Sequence, residues 1–177
     1  GLGLALAFKS HSYQVQRLMG FVKIWTNDPD RLGVTYQVRQ SLLALGTGGL
    51  SGEGIGDSQQ KRFFLPDAHT DFIFAVLAEE FGLLGGLALL LLYLLIVGRG
   101  LYIAASAPDT FSRLLAGSLS ITFFFYVFVN TAMVMGMIPV VGVPLPLVSA
   151  GGTSMVTLMA GFGILMSIQT HRKLVAR

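Results

Sequence analysis

The stretch "DFIFAVLAEEFGLLGGLALLLLYLLIV", residues 71–97, is apolar almost throughout, and its only charged side chains are Asp71, Glu79 and Glu80. As one helix, residues 72–97 would measure about 39 Å, which exceeds the ~30 Å hydrocarbon core of a bilayer. We therefore interpret the stretch as a membrane span whose first turns stand above the lipid. Asp71 then lies outside the hydrocarbon core. The two glutamates lie near its interface, where they are only partly desolvated.

The composition of the chain agrees with lipid as its solvent. Of 177 residues, 53% are apolar and 12% are charged, and the mean hydropathy is +0.70. Soluble domains have about 25% charged residues. The sequence has no cysteine, which excludes disulfide and thiolate-metal frameworks. The net charge of +3 comes without a long basic run, so it suits anionic lipid and not nucleic acid.

Apolar runs and basic residues together predict the topology. Membrane spans are predicted over residues 71–97, 114–138 and 151–169. Arg99 and Arg113 lie in the link 98–113, and the tail 170–177 is basic. The positive-inside rule therefore places this link and the tail in the cytoplasm.

The polar segment 9–70 and the Pro-rich link 139–150 are then extracytoplasmic. Within the first, residues 13–25 place apolar side chains on one helical face. This pattern predicts an amphipathic helix that lies on the membrane surface or packs on protein. Residues 1–8 are apolar but too short to span a bilayer, and we interpret them as the end of a transmembrane helix whose beginning is missing.

The segment "GTGGLSGEGIGDSQQK", residues 46–61, is rich in glycine but fits neither common phosphate-loop pattern. We expect its backbone to fold tightly against a ligand or a neighbouring loop, because glycine permits close approach. Lys61 and Arg62 close the segment. These two side chains either hold an anionic phosphate or are simply solvated.

The triplet His69, Thr70 and Asp71 precedes the predicted span at residues 71–97. Thr70 or Asp71 is expected to cap the helix, and the helix dipole would keep the Asp71 carboxylate ionised. No second ligand follows His69 at helical spacing, so no metal site is predicted. Asp71 and Glu79 would lie about 12 Å apart along a helix, beyond the ~6.5–9.5 Å separation of an inverting glycosidase pair.

The segment "MIPVVGVPLPLVSAGGTS", residues 137–154, contains three prolines in apolar surroundings. Such a segment cannot form a regular helix, so we expect irregular backbone that is shielded by protein. Ser149, Gly151 and Gly152 would begin the last helix, where free backbone N–H groups suit an anion. The alternative is a close-packed helix start that needs small residues.

Three stretches together resemble one family: "LPDAHTDFIFAVLAEEFGLLG", "VGVPLPLVSAGG" and "MAGFGILMSIQTHRK". They are similar to the SEDS proteins, the RodA and FtsW cell-wall polymerases of bacteria, and the sequence resembles RodA more than FtsW. The resemblance implies an all-α integral membrane protein with a ten-helix bundle and a long extracytoplasmic loop. This chain would form the last four helices, the first of them truncated.

The resemblance also implies an activity, a peptidoglycan glycosyltransferase in the bacterial cytoplasmic membrane that serves cell-wall biogenesis, cell shape and cell division. It would polymerise lipid II, an undecaprenyl-pyrophosphate-linked disaccharide pentapeptide, on the extracytoplasmic side, together with a class B penicillin-binding protein. The family's catalytic acid matches Asp71, the expected general base. Substrate-binding roles are expected for Lys61, Arg62, His69, Ser149, Gly151 and Gly152.

The chain departs from the family pattern at two positions. Asp67 stands where a glutamate is usual, which keeps the charge. Ala150 stands where a tyrosine is usual, which removes an aromatic ring from the Pro-rich segment. A magnesium or manganese ion on the pyrophosphate is compatible with the chemistry, and no residue identifies its ligands. The alternative functions are a lipid II flippase and a non-catalytic scaffold for the transpeptidase.

Overall fold

The computed structural model describes residues 34–54 and 71–175, and the side chains of 36–54 and 71–170. Four helices make up the regular structure of these ranges: α1 (Val34–Thr47), α2 (Ile73–Ala105), α3 (Thr110–Val134) and α4 (Gly152–Val175). The segments predicted at residues 1–8 and 13–25 lie outside the described residues.

Three of the helices are long and apolar enough to cross a membrane: α2, α3 and residues Gly152–Thr170 of α4. The predicted all-α membrane fold is therefore confirmed for this part of the chain. The helices extend beyond two of the predicted spans. The first predicted span ended at residue 97, whereas α2 continues to Ala105, and the second began at residue 114, whereas α3 begins at Thr110. A short link turns the chain between them. As a result, α2 and α3 pack side by side along their length.

Asp109 caps α3 at this link. Its carboxylate accepts a hydrogen bond of 2.8 Å from the backbone N–H of Ser112. This backbone hydrogen bond holds the pKa of the Asp109 carboxyl below its usual range. The cap satisfies one of the donors that a helix start leaves unpaired.

Replacing Asp109 by alanine should lower the melting temperature slightly at neutral pH, because the capping carboxylate is lost. The pKa of Asp109 is lowered by folding, so its stabilisation is present above the unfolded pKa of about 3.9 and is lost as pH falls through the folded value. Melting curves at pH 7 and in acid would show the difference between the two proteins shrinking. An equal difference at all pH values would contradict this role.

Helix α2 is broken at Gly82, whose backbone angles are φ 69° and ψ −167°. The sequence predicted a continuous span here. In an unbroken helix the N–H of Leu83 would bond the carbonyl of Glu79, four residues earlier. Instead, Leu83 donates to the carbonyl of Gly49 at 2.9 Å, and the Glu79 carbonyl accepts from Glu53 at 3.0 Å.

The next pair of backbone groups repeats this exchange. The N–H of Leu84 donates to the carbonyl of Leu50 at 3.3 Å, and the Glu80 carbonyl accepts from Gly54 at 3.2 Å. The Gly-rich turn 48–54 after α1 therefore replaces two helical hydrogen bonds of α2. Such replacement is needed because unpaired backbone groups are costly in an apolar environment. The predicted tight folding of this glycine segment against a neighbouring part of the chain is confirmed for residues 48–54, and residues 55–61 lie outside the described residues.

Glu79 is buried within the protein, with 2% of its surface exposed. The prediction of a partly solvated position at the membrane interface is wrong for this residue. The break at Gly82 and the turn 48–54 bring α1 and its following loop against the first part of α2. Protein therefore covers a side chain that a lone helix would leave at the lipid boundary.

Aromatic rings join the three spanning helices. Tyr93 of α2 contacts Phe123 of α3 edge-to-face at 5.8 Å between ring centroids, and Phe123 contacts Phe162 of α4 at 5.4 Å. Nearer the link, Gly100 lets α2 approach Ser120 of α3, since a side chain at that position would collide with the serine hydroxyl. These contacts hold the middle of the three helices, and the ends of α2 and α3 nearest the link, together.

Candidate functional site

Asp71 lies in the turn before α2 and is half-buried. The N-cap of the helix is Phe72, and no side chain caps it. The prediction that Asp71 caps this helix is therefore wrong, and Thr70, the other predicted cap, lies outside the described residues. The helix begins two residues after Asp71, so Asp71 lies in the turn that leads into it.

Asn130 of α3 connects Asp71 to the Pro-rich segment. Its Nδ2 donates to the backbone carbonyl of Asp71 at 2.9 Å and to the backbone carbonyl of Val143 at 2.6 Å. The side chain is fully buried. One amide group thus joins α3, the start of α2 and the loop that follows α3.

The Pro-rich segment has irregular backbone, as its prolines predict, and the structure places it beside Asp71. Residues 135–151 form no helix. A Cβ atom built on Gly142 would lie 3.2 Å from Oδ2 of Asp71, and this glycine has a positive φ of 77°. The loop therefore forms one wall next to the carboxylate, with no side chain between them at that point.

Two further side chains of the spanning helices hold this loop. The Tyr93 hydroxyl donates to the carbonyl of Pro146 at 2.6 Å, and Met133 Sδ accepts from the N–H of Val141 at 3.3 Å. Leu145 is buried within the core, with 1% exposed. The loop is consequently packed against the bundle, which shields part of its irregular backbone.

Replacing Tyr93 by phenylalanine should destabilise the protein by about 1–3 kcal/mol, because the buried Pro146 carbonyl loses its donor while the ring contacts remain. Thermal unfolding of the full-length protein in detergent would measure this. Tyr102→Phe is the matched control, since Tyr102 is 55% exposed on the same helix. Equal melting temperatures for wild type and Tyr93→Phe would contradict the anchoring role.

The start of α4 is only partly available to an anion. Ser149 is buried, and its N–H donates to the carbonyl of Leu145 at 3.0 Å. The N–H of Gly151 donates to the carbonyl of Ser149 at 2.8 Å. The prediction that these two residues offer free backbone donors is therefore wrong, because the turn uses both internally. Gly152, the first residue of α4, is exposed.

A cavity of about 300 Å³ lies between α3, the Pro-rich loop and the first turns of α4. It has both hydroxyl-bearing and apolar walls, formed by Tyr126, Pro144, Pro146, Thr153, Ser154, Thr157 and Leu158. The Ser154 hydroxyl donates to the carbonyl of Gly151. The predicted helix start and the loop beside Asp71 thus meet at one cavity.

The remaining predicted site residues, Lys61, Arg62 and His69, lie outside the described residues and stay predictions. Asp67, where the chain departs from the family pattern, also lies outside them. Within residues 34–54 and 71–170, no group of three or more His, Asp or Glu side chains is placed to hold a metal ion. The described part of the site therefore consists of a carboxylate, an asparagine amide and irregular backbone. Chemically, the carboxylate can accept a proton, and the loop at Gly142 covers part of it.

Sequence reasoning assigned no role to Asn130. It is the one strongly polar residue in the middle span, and polar side chains inside membrane spans commonly mark functional sites. That signal was present in the sequence. The sequence did not indicate the hydrogen-bond partners of Asn130, because the carbonyls that it binds belong to residues 59 and 13 positions away.

A profile of the FtsW, RodA and SpoVE family, described as cell cycle proteins, matches residues 2–174. The chain is 55% identical over 171 residues to the peptidoglycan glycosyltransferase MrdB of Escherichia coli K12; the match covers 96% of this chain and 45% of that protein. The chain thus spans less than half the length of this relative.

Two solved structures share the fold. One belongs to a peptidoglycan synthase complex that coordinates polymerisation and crosslinking, with a TM-score of 0.68, 31% identity and coverage of 90% of this chain and 42% of that one. The other is a mutant of the rod shape determining protein RodA of Thermus thermophilus, with a TM-score of 0.56, 36% identity and coverage of 76% and 40%. The chain belongs to the FtsW, RodA and SpoVE family of multi-pass membrane proteins.

Proposed function

We propose that the protein of which this chain forms part is a peptidoglycan glycosyltransferase that polymerises lipid II for the cell wall. The observation that carries the proposal is the Asp71 carboxylate, which lies at the start of a membrane span against a buried loop. The 55% identity to a protein named peptidoglycan glycosyltransferase supports it. The closer likeness to RodA than to FtsW favours a role in cell elongation and rod shape.

In the proposed reaction Asp71 acts as the general base. It takes the proton of an acceptor sugar hydroxyl while the hydroxyl oxygen attacks the anomeric carbon of the donor sugar. The bond from that carbon to the pyrophosphate oxygen breaks, and the lipid pyrophosphate leaves as an anion. Because this leaving group needs no proton, one carboxylate is sufficient.

The other predicted residues take binding roles in this proposal. Lys61 and Arg62 would neutralise the departing phosphates, and His69 would contact the substrate near Asp71. At the start of α4, Gly152 and the cavity beside it would bind the substrate, since the N–H groups of Ser149 and Gly151 are already paired.

The proposed active site faces the extracytoplasmic side of the bacterial cytoplasmic membrane. Residues 9–70 and 139–150 would lie on that side, and 98–113 and 170–177 in the cytoplasm. Arg99 and Arg113 support this orientation.

Cysteine labelling in intact cells would test the orientation. Val141→Cys, at a position 51% exposed in the Pro-rich loop, should react with a membrane-impermeant reagent added outside. Asp109→Cys, in the link between α2 and α3, should react only after the cells are permeabilised. Labelling of position 109 in intact cells, with position 141 protected, would reverse the topology and move Asp71 to the wrong face.

The proposed partner is a class B penicillin-binding protein that crosslinks the glycan product. The support is the likeness to a chain in a complex that coordinates polymerisation and crosslinking. A polymerase and a transpeptidase held together would act on the same growing strand.

Purified full-length protein, mixed with labelled lipid II and the partner transpeptidase, would test the proposed activity. We expect a ladder of glycan strands on a gel that a muramidase digests. Movement of lipid II across proteoliposome membranes without polymer would instead indicate a flippase. Binding of the transpeptidase with neither activity would indicate a scaffold.

A further inference from the structure

Asn130 links two separate backbone segments in the described part of the bundle. It is fully buried in α3, and its one amide nitrogen bonds the carbonyls of Asp71 and Val143 at 2.9 and 2.6 Å. Both N–H bonds of that nitrogen are thereby used. We propose that Asn130 is a positioning residue, which sets the geometry of Asp71 relative to the Pro-rich loop; this inference rests on the proposed function.

Asn130 gains two hydrogen bonds at this position and leaves one acceptor unpaired. Its Oδ1 has no hydrogen-bond partner among the residues that the structure describes, although it is buried. A buried acceptor without a donor lowers stability. Leucine would remove that cost, but it would leave the carbonyls of Asp71 and Val143 without this donor. What leucine cannot supply is a donor that reaches two separate backbone segments at once.

The two bonded carbonyls belong to the two backbone segments that meet at the proposed reaction site. One belongs to Asp71 itself, so the hydrogen bond fixes the backbone from which the carboxylate projects. The other belongs to Val143, the neighbour of Gly142, whose backbone lies against Oδ2 of Asp71. Asn130 therefore determines the distance between the Asp71 carboxylate and the loop backbone at Gly142.

This distance should matter for the rate and less for substrate binding. A shift of the base by about 1 Å can cost about 10²-fold in rate, because proton transfer needs close alignment of donor and acceptor. Asn130 is itself buried and does not line the cavity of about 300 Å³ between α3, the loop and α4. Its effect must therefore pass through Asp71 and the loop.

The test uses purified full-length protein in the lipid II polymerisation assay. Asn130→Leu should lower kcat by about 10–10²-fold, while KM for lipid II changes much less. Thr131→Val is the matched control, because it removes a buried hydroxyl from the next residue of the same helix that also lacks a partner in the described chain. We expect that variant to keep the wild-type kcat.

A double variant separates positioning from a purely structural role. If Asn130 acts through Asp71, then adding Asn130→Leu to Asp71→Asn should lower the remaining rate by less than twofold. A structural role would lower the rate equally in both backgrounds. Equal losses in both backgrounds, or a wild-type kcat for Asn130→Leu, would overturn the inference alone. An inactive wild-type protein would overturn the proposed function and this inference with it.

Discussion

Replacing Gly82 by alanine is expected to abolish most of the folded yield of the full-length protein. Gly82 has φ 69° and ψ −167°, a region that is open almost only to glycine and costs other residues about 1–3 kcal/mol. A Cβ atom there would also collide with the backbone of Leu50 and Gly52. Relief of that collision requires the turn 48–54 to move away, which breaks the hydrogen bonds that replace the helical ones.

We therefore expect a loss above about 4 kcal/mol, which is exceptional for one substitution. Gly98→Ala is the matched control, because it lies on the same helix and a Cβ atom there meets nothing within 4 Å. That variant should be as stable as the wild type or slightly more so, since alanine favours helix. Thermal unfolding in detergent measures both. A Gly82→Ala protein with the wild-type melting temperature would show that the break in α2 is not required.

Local sequence cannot predict this break. Gly82 is followed by Gly85 and Gly86, which lie within the helical second part of α2, and glycine is frequent in membrane helices generally. What distinguishes Gly82 is its contact with a turn about thirty residues earlier in the chain. The same contact explains the burial of Glu79. Both features depend on tertiary packing.

Other features followed from simple physical rules. Long apolar runs predicted the three spans, because a bilayer requires continuous apolar helix. Prolines predicted the irregular loop at 139–146, because proline lacks the N–H that a helix needs. The N-cap was misplaced because a polar residue before an apolar run suggests a cap, whereas the chain turns at Asp71 and begins its helix after Phe72.

Replacing Asp71 by asparagine is expected to lower the rate of polymerisation by about 10²–10⁴-fold, the usual contribution of a general base. The two side chains have nearly the same shape, and the cap of α2 is Phe72 in either case. The hydrogen bond from Asn130 goes to the backbone carbonyl of Asp71, which the substitution leaves in place. Folding should therefore change little, and the loss reports the missing proton acceptor.

Two further variants test whether the loss of rate is specific to the Asp71 carboxylate. Asp71→Glu should keep part of the activity only if the loop at Gly142 accommodates the longer side chain. Glu80→Gln removes a different half-buried carboxylate of α2 and should affect stability more than rate. If Glu80→Gln lost as much activity as Asp71→Asn, the loss could not be assigned to one base.

The most direct test of the role of Asp71 is the initial rate of lipid II polymerisation by purified, folded, full-length Asp71→Asn protein, compared with wild type under the same conditions and with the partner transpeptidase present. Melting temperature and yield would establish that the two proteins are equally folded. The proposed mechanism predicts a rate lower by at least about 10²-fold. A folded Asp71→Asn protein that polymerises lipid II at the wild-type rate would contradict it.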